Sequence, residues 1–94
     1  LTANVLKTLV AANLYGGCMA LLSNYVNTAT NAPNCPAHGW VTFSCNGSFT
    51  TQDIAYRMLD QAQLAKATNR SVTVTVDDSK KHNGYCFVNR IDVN

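Results

Sequence analysis

The sequence predicts a mostly β domain with one helix and two disulfide bonds, and three features carry that expectation. Residues 71–76 alternate strictly, with Val72, Val74 and Val76 on one side and Ser71, Thr73 and Thr75 on the other. Ile54, Met58, Ala62 and Ala65 recur at i, i+4, i+8 and i+11, a single helical stripe. Four cysteines, Cys18, Cys35, Cys45 and Cys86, occur in only 94 residues. A chain this short makes one domain, residues 1–94, with a thin core that gains from covalent support.

The elements follow in order. Residues 5–13 are mostly apolar, with Val5, Leu6, Leu9 and Val10, and fit a strand or a short helix; periodicity does not choose between them. Tyr15, Gly16 and Gly17 read as a turn, because paired glycines accept positive φ without steric cost. Residues 18–23 form a second apolar run, taken as the partner strand of a hairpin. Residues 24–39 hold six Asn or Thr, both prolines and Cys35, which predicts a long loop tethered by its cysteine. Residues 40–45 alternate aromatic or β-branched side chains with smaller ones and read as a third strand, broken by Asn46, Gly47 and Ser48.

Thr50 or Thr51 caps the helix, with Asp53 placed as in a capping box. The apolar stripe, with Ala55 and Leu59 beside it, runs for about four turns. Arg57, Asp60, Gln61 and Gln63 fall outside it, and Asn69 suits a left-handed cap at the end. After the strand at 71–76, residues 77–84 form a charged turn that ends in Asn83-Gly84, a strong hairpin cue. Residues 85–93 are the last strand. Three strands, a helix and two more strands is the layout of an OB-fold, a five-stranded Greek-key barrel with its helix between strands three and four.

In that layout Cys18 opens the second strand and Cys45 closes the third, so an antiparallel hairpin brings them within bonding reach. Cys35–Cys86 then follows by elimination among three possible connectivities. The cysteine spacings of 17, 10 and 41 contain no C-x-x-C pair, which argues for disulfides over zinc. Disulfides imply an oxidising compartment, hence a secreted or periplasmic protein. No leader, membrane span or lipidation motif is recognisable, so the chain is expected to begin near a processed N-terminus and not to insert into membranes.

Charged residues make up 13% of the chain, about half the usual ~25%. Eleven Asn and ten Thr take their place, giving a surface suited to hydrogen bonding more than to electrostatic steering. A net charge of +2, with Lys and Arg scattered apart from Lys80-Lys81 and the group Arg57, Lys66 and Arg70, is too small to suggest a nucleic-acid partner. Single-strand binding, which OB-folds also perform, ranks third among the readings, and no nucleic acid is expected.

The second half resembles the B subunits of bacterial AB-type toxins. The run Tyr56, Arg57, Met58, Leu59, Asp60, Gln61, Ala62, followed by the alternating strand at 71–76, is similar to the helix-then-strand stretch of the subtilase cytotoxin B subunit. The cholera toxin B subunit is similar in its order of elements, in an Arg-Met pair on its helix and in its C-terminal hairpin. The resemblance covers residues 45–94. It implies an OB-fold ring of five copies that binds cell-surface sugars. In the cholera type the sugar site uses a tryptophan, an asparagine and a lysine after the strand that follows the helix. The corresponding residues 77–82 keep a lysine, Lys80 or Lys81, but place Asp78 where the tryptophan would fall. In the subtilase type a serine and a tyrosine just before the first cysteine hold the sugar. Asn13 and Tyr15 stand there in this chain, without the serine.

Catalysis is not expected, and no cofactor or metal is called for. Bridged cysteines supply no thiolate. Ser79, His82 and Asp78 share one short turn without a nucleophile elbow or oxyanion hole. Asp77-Asp78 reads as a solvated tip, and His38 and His82 lie far apart along the chain. Glycans are held by aromatic faces and amide hydrogen bonds, which need little net charge. Trp40 is placed to pack beside Val41 and Phe43, so the candidate sugar-binding residues are Asn13, Tyr15, Asp78, Lys80, Lys81, His82 and Tyr85. They form two faces, the turn around Tyr15 and the tip of the last hairpin. The alternative is a structural subunit that binds a partner protein, its alanine-rich helix stripe allowing close approach. The patterns Asn46-Gly47-Ser48 and Asn69-Arg70-Ser71 match glycosylation acceptors, but such patterns arise by chance in Asn-rich chains.

Overall fold

A computed structural model describes residues 1–94. The strands are β1 (Thr2–Val10), β2 (Cys18–Leu22), β3 (Trp40–Thr42), β4 (Ser71–His82) and β5 (Tyr85–Val93), with one helix, α1 (Gln52–Ala67), between β3 and β4. Short 3₁₀ turns occupy Tyr15–Gly17 and Val26–Thr28. The five strands close into a barrel in the order β1-β2-β3-β5-β4. Thr2, Ala3 and Asn4 pair with Thr73, Val72 and Ser71 to seal it on one side; a single parallel pairing, Thr42 with Phe87, joins β3 to β5 on the other. This is the OB-fold arrangement with its inserted helix.

Alternation along the strands fills the interior. Val72, Val74, Val76, Val41, Phe43 and Val88 point inward and are buried, while Phe87, on the other face of β5, is buried against Phe49 at 5.5 Å. Helix α1 closes one end of the barrel through Ala55, Met58, Leu59, Ala62 and Ala65. Its three alanines are completely buried, and their small side chains let the helix backbone lie close to the strands. Ile54, grouped with the stripe by spacing, remains 49% exposed, because the buried arc is centred on the Ala55–Leu59–Ala62 side. The Thr51 hydroxyl caps the helix by accepting from Ile54 N–H at 3.3 Å. At the other end Asn69 takes φ 55°, and the Arg70 N–H donates to Ala65 C=O at 2.9 Å, closing a Schellman turn.

Both disulfides have the expected pairing, Cys18–Cys45 with Cα atoms 5.6 Å apart and Cys35–Cys86 with 6.0 Å. Together they indicate an oxidising, non-cytosolic environment. No helix is long and apolar enough to cross a membrane.

Four expectations need adjustment. The first strand begins at Thr2, because residues 2–4 find partners on β4 that a local reading cannot see, and it stops at Val10. The second ends at Leu22, and Ser23 serves as a side-chain partner for the Asn4 N–H. The third stops at Thr42, because Ser44 adopts φ 60° and turns the chain. The largest correction concerns residues 77–84, read as a turn: β4 continues to His82, and only Asn83 and Gly84, with φ 53° and 86°, make the turn. Pairing jumps from Asp77↔Phe87 to Lys81↔Cys86, so 78–80 bulge outward. The Ser79 N–H and hydroxyl both bond Asp77 Oδ1, at 2.9 and 2.6 Å, and shape the bulge. A bulge lets a strand carry polar residues that read locally as loop.

Candidate functional site

The two predicted faces meet. The turn between β1 and β2 holds Tyr15, Gly16 and Gly17 at φ 60°, 72° and 94°, a left-handed run that folds it over the barrel rim. Glycine is required in its middle, since a Cβ on Gly16 would lie 2.5 Å from His82 Cδ2 and 2.8 Å from Thr42 Oγ1. The Tyr15 N–H donates to Asn83 Oδ1 at 2.9 Å, joining this turn to the tip of the β4–β5 hairpin. The Thr42 hydroxyl donates to the Tyr15 C=O at 2.6 Å from below. Tyr15 meets Tyr85 edge-to-face with centroids 5.4 Å apart, and Tyr85 in turn lies 5.2 Å from the His38 ring.

A cleft of about 230 Å³ opens between these turns, lined by Asn13, Tyr15, Asn46, His82 and Asn83 over a floor of Gly16 and Gly17. That volume is below the roughly 300–1,000 Å³ of drug-sized sites and suits one small polar unit. One wall is built on Ser44, which is fully buried at positive φ. Its Oγ lies 2.9 Å from His82 Nε2, accepts from the Phe49 N–H at 3.2 Å, and lies 3.2 Å from Asn46 Oδ1. The Phe49 ring stacks on His82 at 4.4 Å. Burial against these groups lowers the His82 pKa, so the imidazole is neutral at neutral pH.

Asn46 and Asn83 each commit their side-chain oxygen to the protein. Asn46 Oδ1 accepts from the Ser48 N–H at 3.1 Å, and Asn83 Oδ1 accepts from Tyr15. Their amide nitrogens donate to no protein group, and neither end of the Asn13 amide is bonded. Fixing the oxygens restricts the amide planes, so the asparagines that line the cleft keep unspent donors and bring no formal charge.

Of the seven residues singled out from sequence, Asn13, Tyr15 and His82 line this cleft, and Tyr85 braces it from behind through Tyr15. Asp78, Lys80 and Lys81 do not. Asp78 Oδ2 accepts from the Asn34 N–H at 3.3 Å, Lys81 Nζ donates to the Asn34 C=O at 2.9 Å, and Lys80 Nζ lies 3.9 Å from Asp77. Asp78 and Lys81 thus hold the long loop against β4, near the Cys35–Cys86 bond, while Lys80 stays over its own strand. The two hydrogen bonds from Ser79 lower the Asp77 pKa. The triad conceivable from Ser79, His82 and Asp78 does not assemble, since Ser79 turns to Asp77 and His82 to Ser44. The two histidines, distant in sequence, pack on different aromatic rings of the site, His38 on Tyr85 and His82 on Phe49.

Sequence reading missed Ser44, Asn46 and Phe49 as parts of the site. Asn46 was visible only as a strand breaker and as part of an Asn-Gly-Ser acceptor pattern, and the long-range bond between Ser44 and His82 spans 38 residues. No protein family, curated protein or solved structure matches this chain.

Proposed function

We propose that this chain is an exported, non-catalytic glycan-binding module of the toxin B-subunit kind, which holds a sugar in the cleft between the β1–β2 turn and the β4–β5 tip. The observation that carries the reading is the pair of unspent amide donors on Asn46 and Asn83 beside Asn13 and the edge of Tyr15. Amides and aromatic edges are what a polyhydroxylated ligand needs, and neither requires net charge. A catalytic role has little support: Ser44 is wholly buried and His82 bonds no carboxylate. The resemblance to ring-forming B subunits extends the proposal to secretion or periplasmic export and to a homo-pentamer facing a cell-surface glycan.

The test is a glycan array on protein shown to be folded and oxidised, repeated with Asn13→Ala. Asn13 is exposed and bonds nothing within the chain, so its loss leaves the fold intact. Selective binding by the parent, weakened about tenfold or more in the variant, is the expected result, one lost hydrogen bond with its unpaired partner costing about 1–3 kcal/mol. A flat array sinks the reading.

A second reading rests on a different surface. Ile54 and Leu64 on α1 are 49% and 50% exposed, and Ile54 borders a groove of about 310 Å³ with Met58, Arg57 and Ile91. That face suits a structural subunit packing on a partner protein. Native mass determination separates the two: the second reading requires a stable complex with a different chain and no glycan response.

A further inference from the structure

We infer that the cleft selects an uncharged sugar, a hexose or N-acetylhexosamine, and discriminates against sialic acid and other carboxylated sugars; this rests on the glycan-binding reading above. The cleft contains no Lys or Arg. The nearest lysines along the chain are spent elsewhere, Lys81 on the Asn34 carbonyl and Lys80 beside Asp77. His82, the cleft's one basic side chain, sits against Phe49 and Gly16, where burial favours its neutral form. A bound carboxylate would therefore shed water without meeting a cation, and an uncompensated ion costs far more to desolvate than a hydroxyl or amide.

The donor inventory points the same way. Asn46 Nδ2 and Asn83 Nδ2 have N–H groups unspent on the protein, while the Asn13 side-chain carbonyl is free to accept from a hydroxyl or an acetamido N–H. A mixed set of donors and acceptors fits groups that both give and take hydrogen bonds. Hydroxyls and acetamido groups do so; a carboxylate only accepts. The cleft's volume of about 230 Å³ limits the contact to one terminal residue.

The experiment titrates the oxidised protein with matched glycans, N-acetyllactosamine and its α2-3- and α2-6-sialylated forms, at 50 and 500 mM NaCl. The expected result is binding of the neutral glycan that is unchanged by salt, and at least tenfold weaker binding of both sialylated forms. Equal or tighter binding of a sialylated form overturns the inference but leaves the glycan-binding reading standing. A response to none of the three, nor to a wider array of neutral hexose and N-acetylhexosamine termini, overturns both. Asn83→Asp and Asn46→Asp give a second handle, because each keeps the oxygen that pins the loop and replaces the free donor with a charged acceptor. Both should lose neutral-glycan binding tenfold or more with an unchanged melting temperature; full binding in both would refute the donor assignment.

Discussion

Removing the Cys35–Cys86 bond, as the double variant Cys35→Ala/Cys86→Ala, is expected to destabilise the protein severely and to loosen one segment selectively. The bond closes 51 residues of chain and Cys18–Cys45 closes 27. Loop-closure entropy alone then makes them worth about 4 and about 3.5 kcal/mol respectively. A domain of this size has a total stability of about 5–15 kcal/mol, so either loss is a large fraction of the whole. With an unfolding entropy of about 2 cal/mol/K per residue, 94 residues convert 4 kcal/mol into a fall of about 20 °C in Tm. The structure adds where the damage appears. Residues 26–39 are held by the buried Val26 and Ala32, by the His38 ring against Tyr85, and by the Asn34 bonds to Asp78 and Lys81 at the surface; Cys35 is their one covalent tie to β5. Thermal melts without reductant, paired with amide hydrogen exchange, test this. The expected result is a fall of about 20 °C with lost protection concentrated in residues 26–39. The Cys18→Ala/Cys45→Ala variant should melt similarly low but lose protection around 11–18 and 43–47. If each double variant melts within about 5 °C of the parent, or exchange rises evenly along the chain in both, the tether argument is wrong.

Two further outcomes follow from the site. Gly16→Ala forces a Cβ against His82 and Thr42 at a left-handed residue, and should cost about 2–4 kcal/mol in denaturant unfolding. Gly84→Ala has the same backbone sign, φ 86°, but open space around it, and should cost only about 1–2 kcal/mol; equal costs would show that the His82 contact carries no weight. Burial holds the folded-state pKa of His82 below its ordinary value of about 6.5, so in that window the unfolded chain binds more protons than the folded one. Stability from this group is complete above about pH 6.5 and falls as the pH drops toward 5, a slope that should flatten in His82→Gln. Asp77, held low by Ser79, keeps its stabilisation throughout this range and loses it only in more acidic solution, as the pH falls through its lowered pKa. A Tm profile between pH 5 and 7.5 that is identical in parent and His82→Gln would contradict the assignment.

Much of the fold was legible because its determinants are local or covalent. Period-two valines in 71–76, a 3.6-period stripe in 54–65 and turn chemistry at Gly16-Gly17 and Asn83-Gly84 each act over a few residues. From their order the barrel and both disulfide pairings followed. Strand ends were less legible, since Thr2–Asn4 and Asp77–His82 are strands only because distant backbone groups satisfy them. Polar residues at 77–82 read as a solvated turn because local pattern cannot register a bulge.

The candidate site divides in the same way. Asn13, Tyr15 and His82 stood out by residue type and position, but their convergence depends on the Tyr15–Asn83 bond across 68 residues. Lys80, Lys81 and Asp78 were credible ligands by chemistry, but tertiary contacts turned Lys81 and Asp78 to the loop at Asn34, and Lys80 lies beside Asp77. Ser44 carries no sequence signal at all; its role arises from a left-handed backbone that buries its hydroxyl beneath His82. The sequence by itself therefore determined which elements form and which cysteines join, through short-range sterics and hydrophobic period. Only the closed barrel decided which side chains share a cleft and which of their polar atoms are left free, because hydrogen-bond saturation is settled by neighbours remote along the chain.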